Sequence, residues 1–188
     1  GKLAYLYARH DFHDAFMPRE EALQKASAAI STALRNNPQE TNALLASVII
    51  DTAAGNFSSA QTTLDGVLGR QPNHATALYI YSELELARNR FDAALSRAQQ
   101  AYELDPLSPW INVNLAIVHF WRSEYQPALE AVQNAIRIDN NYTWAYVWQA
   151  KIFHRQGQLS AAITSMLQSA DIDSASVVNS AYTGLLYM

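Results

Sequence analysis

The chain has 188 residues, 49% of them hydrophobic and only 16% charged, with a formal net charge of −4. That balance lacks the basic stripe expected of a nonspecific nucleic-acid binder, so no direct nucleic-acid binding by this piece is expected, and no run of 18 apolar residues is present that could span a membrane as a helix. Zero cysteines exclude disulfides and thiolate metal sites and leave the compartment open; the expectation is cytoplasmic, or periplasmic if the parent chain carries a signal or anchor.

In chain order, residues 3–16 have apolar spacing that suits a helix, which Met17-Pro18 ends. Residues 19–35 form a second helix with Ala22, Leu23, Ala26, Ile30, Ala33 and Leu34 on one face. Helical patterns follow at 41–54 and 58–68, then at 75–88 and 92–104. Ser108 is placed to cap the next helix, with Pro109 at its first position. Pro127 falls in the first turn of the helix after that, where its missing N–H costs little. Segments 143–155 and 160–172 complete the series. A further helix starts at 177, where a lone cap would want a polar outer face. This one offers Val177, Val178, Leu185, Leu186, Tyr187 and Met188. The expectation is an array that originally continued; the alternative is a hydrophobic cap through which the chain self-associates.

The pattern repeats every 34 residues. Ala26, Ala60, Ala94, Ala128 and Ala162 share one register, and Leu23, Phe57, Phe91, Tyr125 and Leu159 lie three residues earlier. Ala33, Val67, Ala101, Ala135 and Ser169 make a third column, and Pro38, Pro72, Pro106, Asn140 and Ser174 a fourth. Small residues let two helix backbones approach closely; the larger residue three positions earlier fills the gap on the same face. Proline stops the second helix. Gly55, Asn89, Ser123 and Gly157 sit between the helices of each pair, where a turn wants small or polar residues. Self-similarity at this period is the mark of a solenoid.

These columns resemble the tetratricopeptide repeat across nearly the whole chain, most fully in residues 75–108 with Phe91, Ala94, Ala101 and Leu104-Asp105-Pro106. The small slot of the first helix holds Val48, Ser82, Ala116, Ala150 and Gly184, of which Val48 is large for the place. The resemblance implies an all-α solenoid, a right-handed superhelix of about five and a half helix hairpins in one domain. Its repeats would run approximately 1–40, 41–74, 75–108, 109–142 and 143–176, with a partial or capping helix at 177–188.

In such an array the first helices line a concave surface, and residues spaced i, i+4, i+7, i+11 share the stripe facing it. That stripe is Trp110, Asn114, Ile117 and Trp121 in one repeat, then Trp144, Trp148, Lys151 and Arg155 in the next. The preceding repeat gives Thr76, Ile80, Glu83 and Ala87, with Tyr79 beside them. Candidate groove residues are therefore Tyr79, Glu83, Trp110, Asn114, Ile117, Trp121, Trp144, Trp148, Lys151 and Arg155. Packing is the competing reading for the indoles, and Trp121, near its helix end, is expected to pack against the neighbouring repeat. Were the indoles a ligand pocket, Trp148→Ala should abolish a ligand-induced fluorescence change and leave the helical circular dichroism intact.

Peptide-binding relatives hold a C-terminal carboxylate with lysines, asparagines and arginine on these helices. The matching slots here carry Tyr79, Glu83, Asn114, Trp144 and Trp148, and only Asn114 fits, so the resemblance does not imply a chaperone-tail receptor. His10 and His13, interleaved with Asp11 and Asp14, lack the further ligands a metal site needs. His119 occupies a packing slot, and His154 lies near the groove edge, where it could titrate near neutral pH. No phosphate loop or nucleophile turn is present, so neither catalysis nor a cofactor is expected. Residues 18–39 and 103–116 resemble in texture the tetratricopeptide regions attached to bacterial winged-helix transcriptional regulators and adenylate cyclases. That resemblance implies a non-enzymatic sensory or interaction array, a signalling scaffold that binds a protein, peptide or ligand in its groove as the regulatory part of such a regulator. The alternative is a stand-alone adaptor in a secretion or envelope-assembly complex.

Overall fold

The structure, a computed structural model, describes residue 2 and residues 19–173. The helix expected at 3–16, the His10/His13 pair with Asp11 and Asp14, and the tail 177–188 with Gly184 and its suggested self-association lie outside the described residues. Among the described residues there are nine α-helices and no strand: α1 (Arg19–Asn36), α2 (Thr41–Ala53), α3 (Phe57–Arg70), α4 (Ala75–Ala87), α5 (Phe91–Leu104), α6 (Pro109–Trp121), α7 (Tyr125–Ile138), α8 (Thr143–Arg155) and α9 (Leu159–Ile172). No described helix is long and apolar enough to cross a membrane. The architecture is a solenoid of helix hairpins, as the 34-residue columns require.

The chain divides into two compact units, residues 1–90 and 91–188. In the first, α2 packs on α1 and α3, α3 also packs on α4, and the leading helices α2 and α4 touch one another. The second repeats the scheme: α6 packs between α5 and α7, α8 between α7 and α9, and α6 touches α8. All five alanines of the Ala26 column are fully buried, as are Val67, Ala101, Ala135 and Ser169 of the third column. Val48, Ser82, Ala116 and Ala150 are fully buried too, so the valine is accommodated in the small slot. Phe57, Phe91, Tyr125 and Leu159 are the first residues of their helices.

Local chemistry fixes where the helices begin and end. Ser108 caps α6 by accepting from the Ile111 N–H, with Pro109 in the first turn; Glu40 and His74 cap α2 and α4 in the same way. The leading helices α2, α4, α6 and α8 all end in one motif. The residues Gly55, Asn89, Ser123 and Gly157 are left-handed, with φ of 79°, 57°, 62° and 75°. The following N–H then reaches back to a carbonyl five residues earlier: Asn56 to Asp51, Arg90 to Glu85, Glu124 to His119 and Gln158 to Phe153, at 2.8–2.9 Å. This satisfies carbonyls that a helix end leaves orphaned. A Cβ built on Gly157 meets no atom within 4 Å, so only backbone conformation resists a side chain there. Gly157→Ala should lower stability by about 1–2 kcal/mol, read as a shift in the urea midpoint.

Candidate functional site

The expected site residues fall in both units. In the first, Tyr79 is buried on α4 and its hydroxyl donates to Glu83 Oε1 one turn later, at 2.7 Å. Nearby Glu85 is also buried and faces Arg88 at 3.6 Å and Arg90 at 3.8 Å. Those ion pairs lock the end of α4 and leave the carboxylate no evident role in binding.

The other eight residues lie on α6 and α8 in the second unit, where the structure builds a chain of aromatic rings. Phe120 is at its centre. Its ring meets Trp148 at 5.5 Å, Trp121 at 5.7 Å and Tyr125 at 6.0 Å, each edge to face. Trp148 in turn meets Trp144 at 6.3 Å, again edge to face. This geometry places positive ring edges against negative ring faces. Two cations lie on the rings. The Lys151 ammonium is 4.2 Å from the Trp148 centroid and 5.4 Å from that of Trp144; Arg155 lies 5.9 Å from the Phe120 centroid. Burial pushes the Lys151 ammonium below the usual lysine range. Tyr125 is lowered for a different reason: hydrogen bonds from Ser123 and then Arg155 favour its deprotonated form.

Depth separates the indoles. Trp148 is only 7% exposed and packs in a core with Val113, Ala116, Ala145 and Ile152. Trp144 is half-buried against the same core. Trp110 is 46% exposed, and Trp121 is 55% exposed rather than packed against a neighbouring repeat as its place in the sequence predicts. The reason is position: Trp121 is the last residue of α6, and its neighbour Phe120 takes the packing place. Ile117 is half-buried against the core, and Arg155 is exposed. Asn114 is buried, and neither its amide nitrogen nor its oxygen has a hydrogen-bond partner among the described residues; the same holds for Trp148 Nε1. Each such group costs about 1–3 kcal/mol, and the same is true of Thr52, Ser82, Glu85 and Asn112 elsewhere among the described residues.

Sequence reasoning missed Phe120, which stands one residue off the stripe. Its 34-residue column, Thr52, Leu86, Phe120 and His154, is the penultimate position of each leading helix, and at Phe120 it is where α6 meets Trp148 of α8. His119 is not a ligand-bearing histidine. Its Nδ1 pairs with Glu124 Oε2 at 2.7 Å, Glu124 Oε1 accepts from Arg122 Nε at 3.0 Å, and Arg122 bonds Asp92 on α5. That network ties the α6–α7 turn to α5; the His119 hydrogen bond is the main cause that holds the Glu124 carboxyl below its ordinary range. Among the described residues no group of His, Asp and Glu could hold a metal.

A family model for the tetratricopeptide repeat matches residues 52–109 and 84–143. A thermophilic protein of this repeat class from Thermus thermophilus superposes with a TM-score of 0.81 at 17% identity, over 90% of this chain and 91% of that one. PilF of Pseudomonas aeruginosa gives 0.71 at 17%, over 98% and 79%. The first repeat domain of Spaghetti (RPAP3), bound to the HSP90 peptide SRMEEVD, gives 0.56 at 16%, over 60% and 90%. No curated protein matches the chain by sequence. At these identities the structural likenesses carry the fold.

Proposed function

We propose that this chain, which carries tetratricopeptide repeats over residues 52–143, is a non-enzymatic interaction module that holds a peptide segment of a partner protein on its α6–α8 face. Repeats of this class serve as scaffolds for protein or peptide partners, and the Spaghetti domain is itself a peptide complex. One observation carries the reading for this chain: a ring series runs from the buried Trp148, flanked by half-buried Trp144, through Phe120 to the half-exposed indole of Trp121. A rigid buried end and an open end are what a docking anchor needs, because the platform loses little freedom when a partner side chain settles on it. The finer expectation, a regulatory role in a bacterial transcriptional regulator, rests on the texture of residues 18–39 and 103–116 alone and gains no support from the comparisons.

A random peptide library displayed on phage and selected on the intact chain tests the assignment. Selected peptides should bind Trp121→Ala about 30-fold more weakly, the equivalent of ~2 kcal/mol for an aromatic anchor. Gln126→Ala, at an exposed position on α7, should bind as the parent does. Equal affinity for the parent and Trp121→Ala would move the binding surface elsewhere.

A further inference from the structure

We propose that two copies of this chain dock edge to edge through the ends of α5 and α7. The two-fold arrangement sets Leu104 of one copy against Ile138 of the partner subunit, and Glu103 against Arg137 of the partner subunit. This surface is separate from the peptide site, because Trp121 lies at the other end of α6. The first support is where exposed apolar side chains gather. Among the described residues the exposed large hydrophobics all belong to the second unit. Leu104, Ile138 and Ile172 are the last residues of α5, α7 and α9. Leu107, 74% exposed, follows α5 in the loop, and Trp110 is in the first turn of α6. Residues 105–108 and 139–142 each join a trailing helix end to the next leading helix start, so these side chains share one edge of the unit. In the earlier repeats the same columns are polar: Asn36 and Arg70 stand in the column of Leu104, Asn73 in that of Leu107 and Thr76 in that of Trp110. The repeat itself therefore does not require an apolar edge, and clustered exposed apolar side chains mark an interaction surface.

Charge identifies the occupant. Glu103 and Arg137 are exposed, each directly precedes its apolar helix end, and they are equivalent positions of successive repeats, so they flank Leu104 and Ile138 on the same side. With the two-fold axis crossing between α5 and α7, each α5 end faces the α7 end of the other copy. Opposite charges then meet twice, because a two-fold interface repeats every contact. Leu107, between the two helix ends, lies near the axis and meets its own counterpart. Matching like ends instead would set Glu103 on Glu103 and Arg137 on Arg137, which costs affinity. Arg137 bonds Asn134 of its own helix, and a guanidinium has further donors for a carboxylate. Asp139 is turned into its own loop, where Oδ1 accepts from the Asn141 N–H at 2.9 Å. The acidic residues Glu103, Asp139 and Asp171 interleaved with the apolar ends disfavour an anionic lipid surface. The alternation of sign between Glu103 and Arg137 disfavours a partner of one charge and suits a second copy.

Sedimentation velocity over a concentration series of the 188-residue chain decides the matter. A small apolar contact of this kind should give a reversible dimer with a Kd of about 30 μM. Leu107→Asp and Ile138→Gln should each leave only monomer, with helical circular dichroism unchanged because both side chains are exposed. Glu103→Arg and Arg137→Glu should each weaken the dimer about tenfold, since each reversal creates two like-charge contacts. An equal mixture of those two variants, and the variant carrying both reversals, should recover the parent Kd. Trp121→Ala should dimerise as the parent does, whatever becomes of its peptide binding. A chain that stays monomeric up to about tenfold above the expected Kd overturns the proposal. So does a dimer that survives both Leu107→Asp and Ile138→Gln, which would place the contact elsewhere. Loss in those two variants with no response to the charge reversals overturns the pairing of α5 with α7.

Discussion

Replacing Trp148 with alanine should lower the stability of the second unit by about 3–5 kcal/mol, the usual cost of emptying a buried indole site. The ring is 7% exposed and is surrounded by Val113, Ala116, Ala145 and Ile152 beneath Lys151, with Phe120 and Trp144 at its edges. Urea unfolding followed by circular dichroism at 222 nm would read the change; a loss below 1 kcal/mol would mean the indole is not core. This corrects the expectation that Trp148→Ala separates binding from folding. Trp121→Ala is the substitution that does so, since a half-exposed indole at a helix end leaves little cavity behind it. Trp148→Phe should fall between the two and remove the orphaned indole N–H while keeping a ring in the stack.

Overfilling is the second large effect. Ala128→Leu should destabilise by about 1–3 kcal/mol, because Ala128 is fully buried at the close approach of α7 to its neighbours, among Val113, Ala116, Ala131 and Val132. Three added carbons have nowhere to go unless two helices part. The same change at Ala93, exposed on α5, should stay within about 0.5 kcal/mol. Equal denaturation midpoints for the two variants would refute the reading of the alanine column as a contact between helix backbones.

Much of the fold can be read from residue types, because the constraints on it are local or strictly periodic. An alanine that recurs every 34 residues reports a close helix approach whatever surrounds it, and Gly55, Asn89, Ser123 and Gly157 mark a backbone conformation few other residues accept. Ser108 and Pro109 name a helix start within one turn. The site is less legible. Helical spacing gives the direction in which Trp110, Trp121, Trp144 and Trp148 leave their helices, but not their depth. Depth depends on which side chain of the next helix arrives first. At α6 that is Phe120, so Trp148 is sealed in and Trp121 is left outside. Asn114 shows the same limit: its place on the stripe is visible, while its burial without a partner among the described residues is a property of packing.

The short reach of the packing described above, each helix touching only those one or two places away within its unit, bears on how the chain reaches its native state. Little entropy is lost in closing such brief loops, so folding should be rapid and able to start at more than one hairpin. Unfolding should correspondingly spread from the ends of a unit inward, with amide protons of α6 and α7 exchanging last in the second unit. Newly made polypeptide could then acquire structure pair by pair as it leaves the ribosome, with no distant segment awaited.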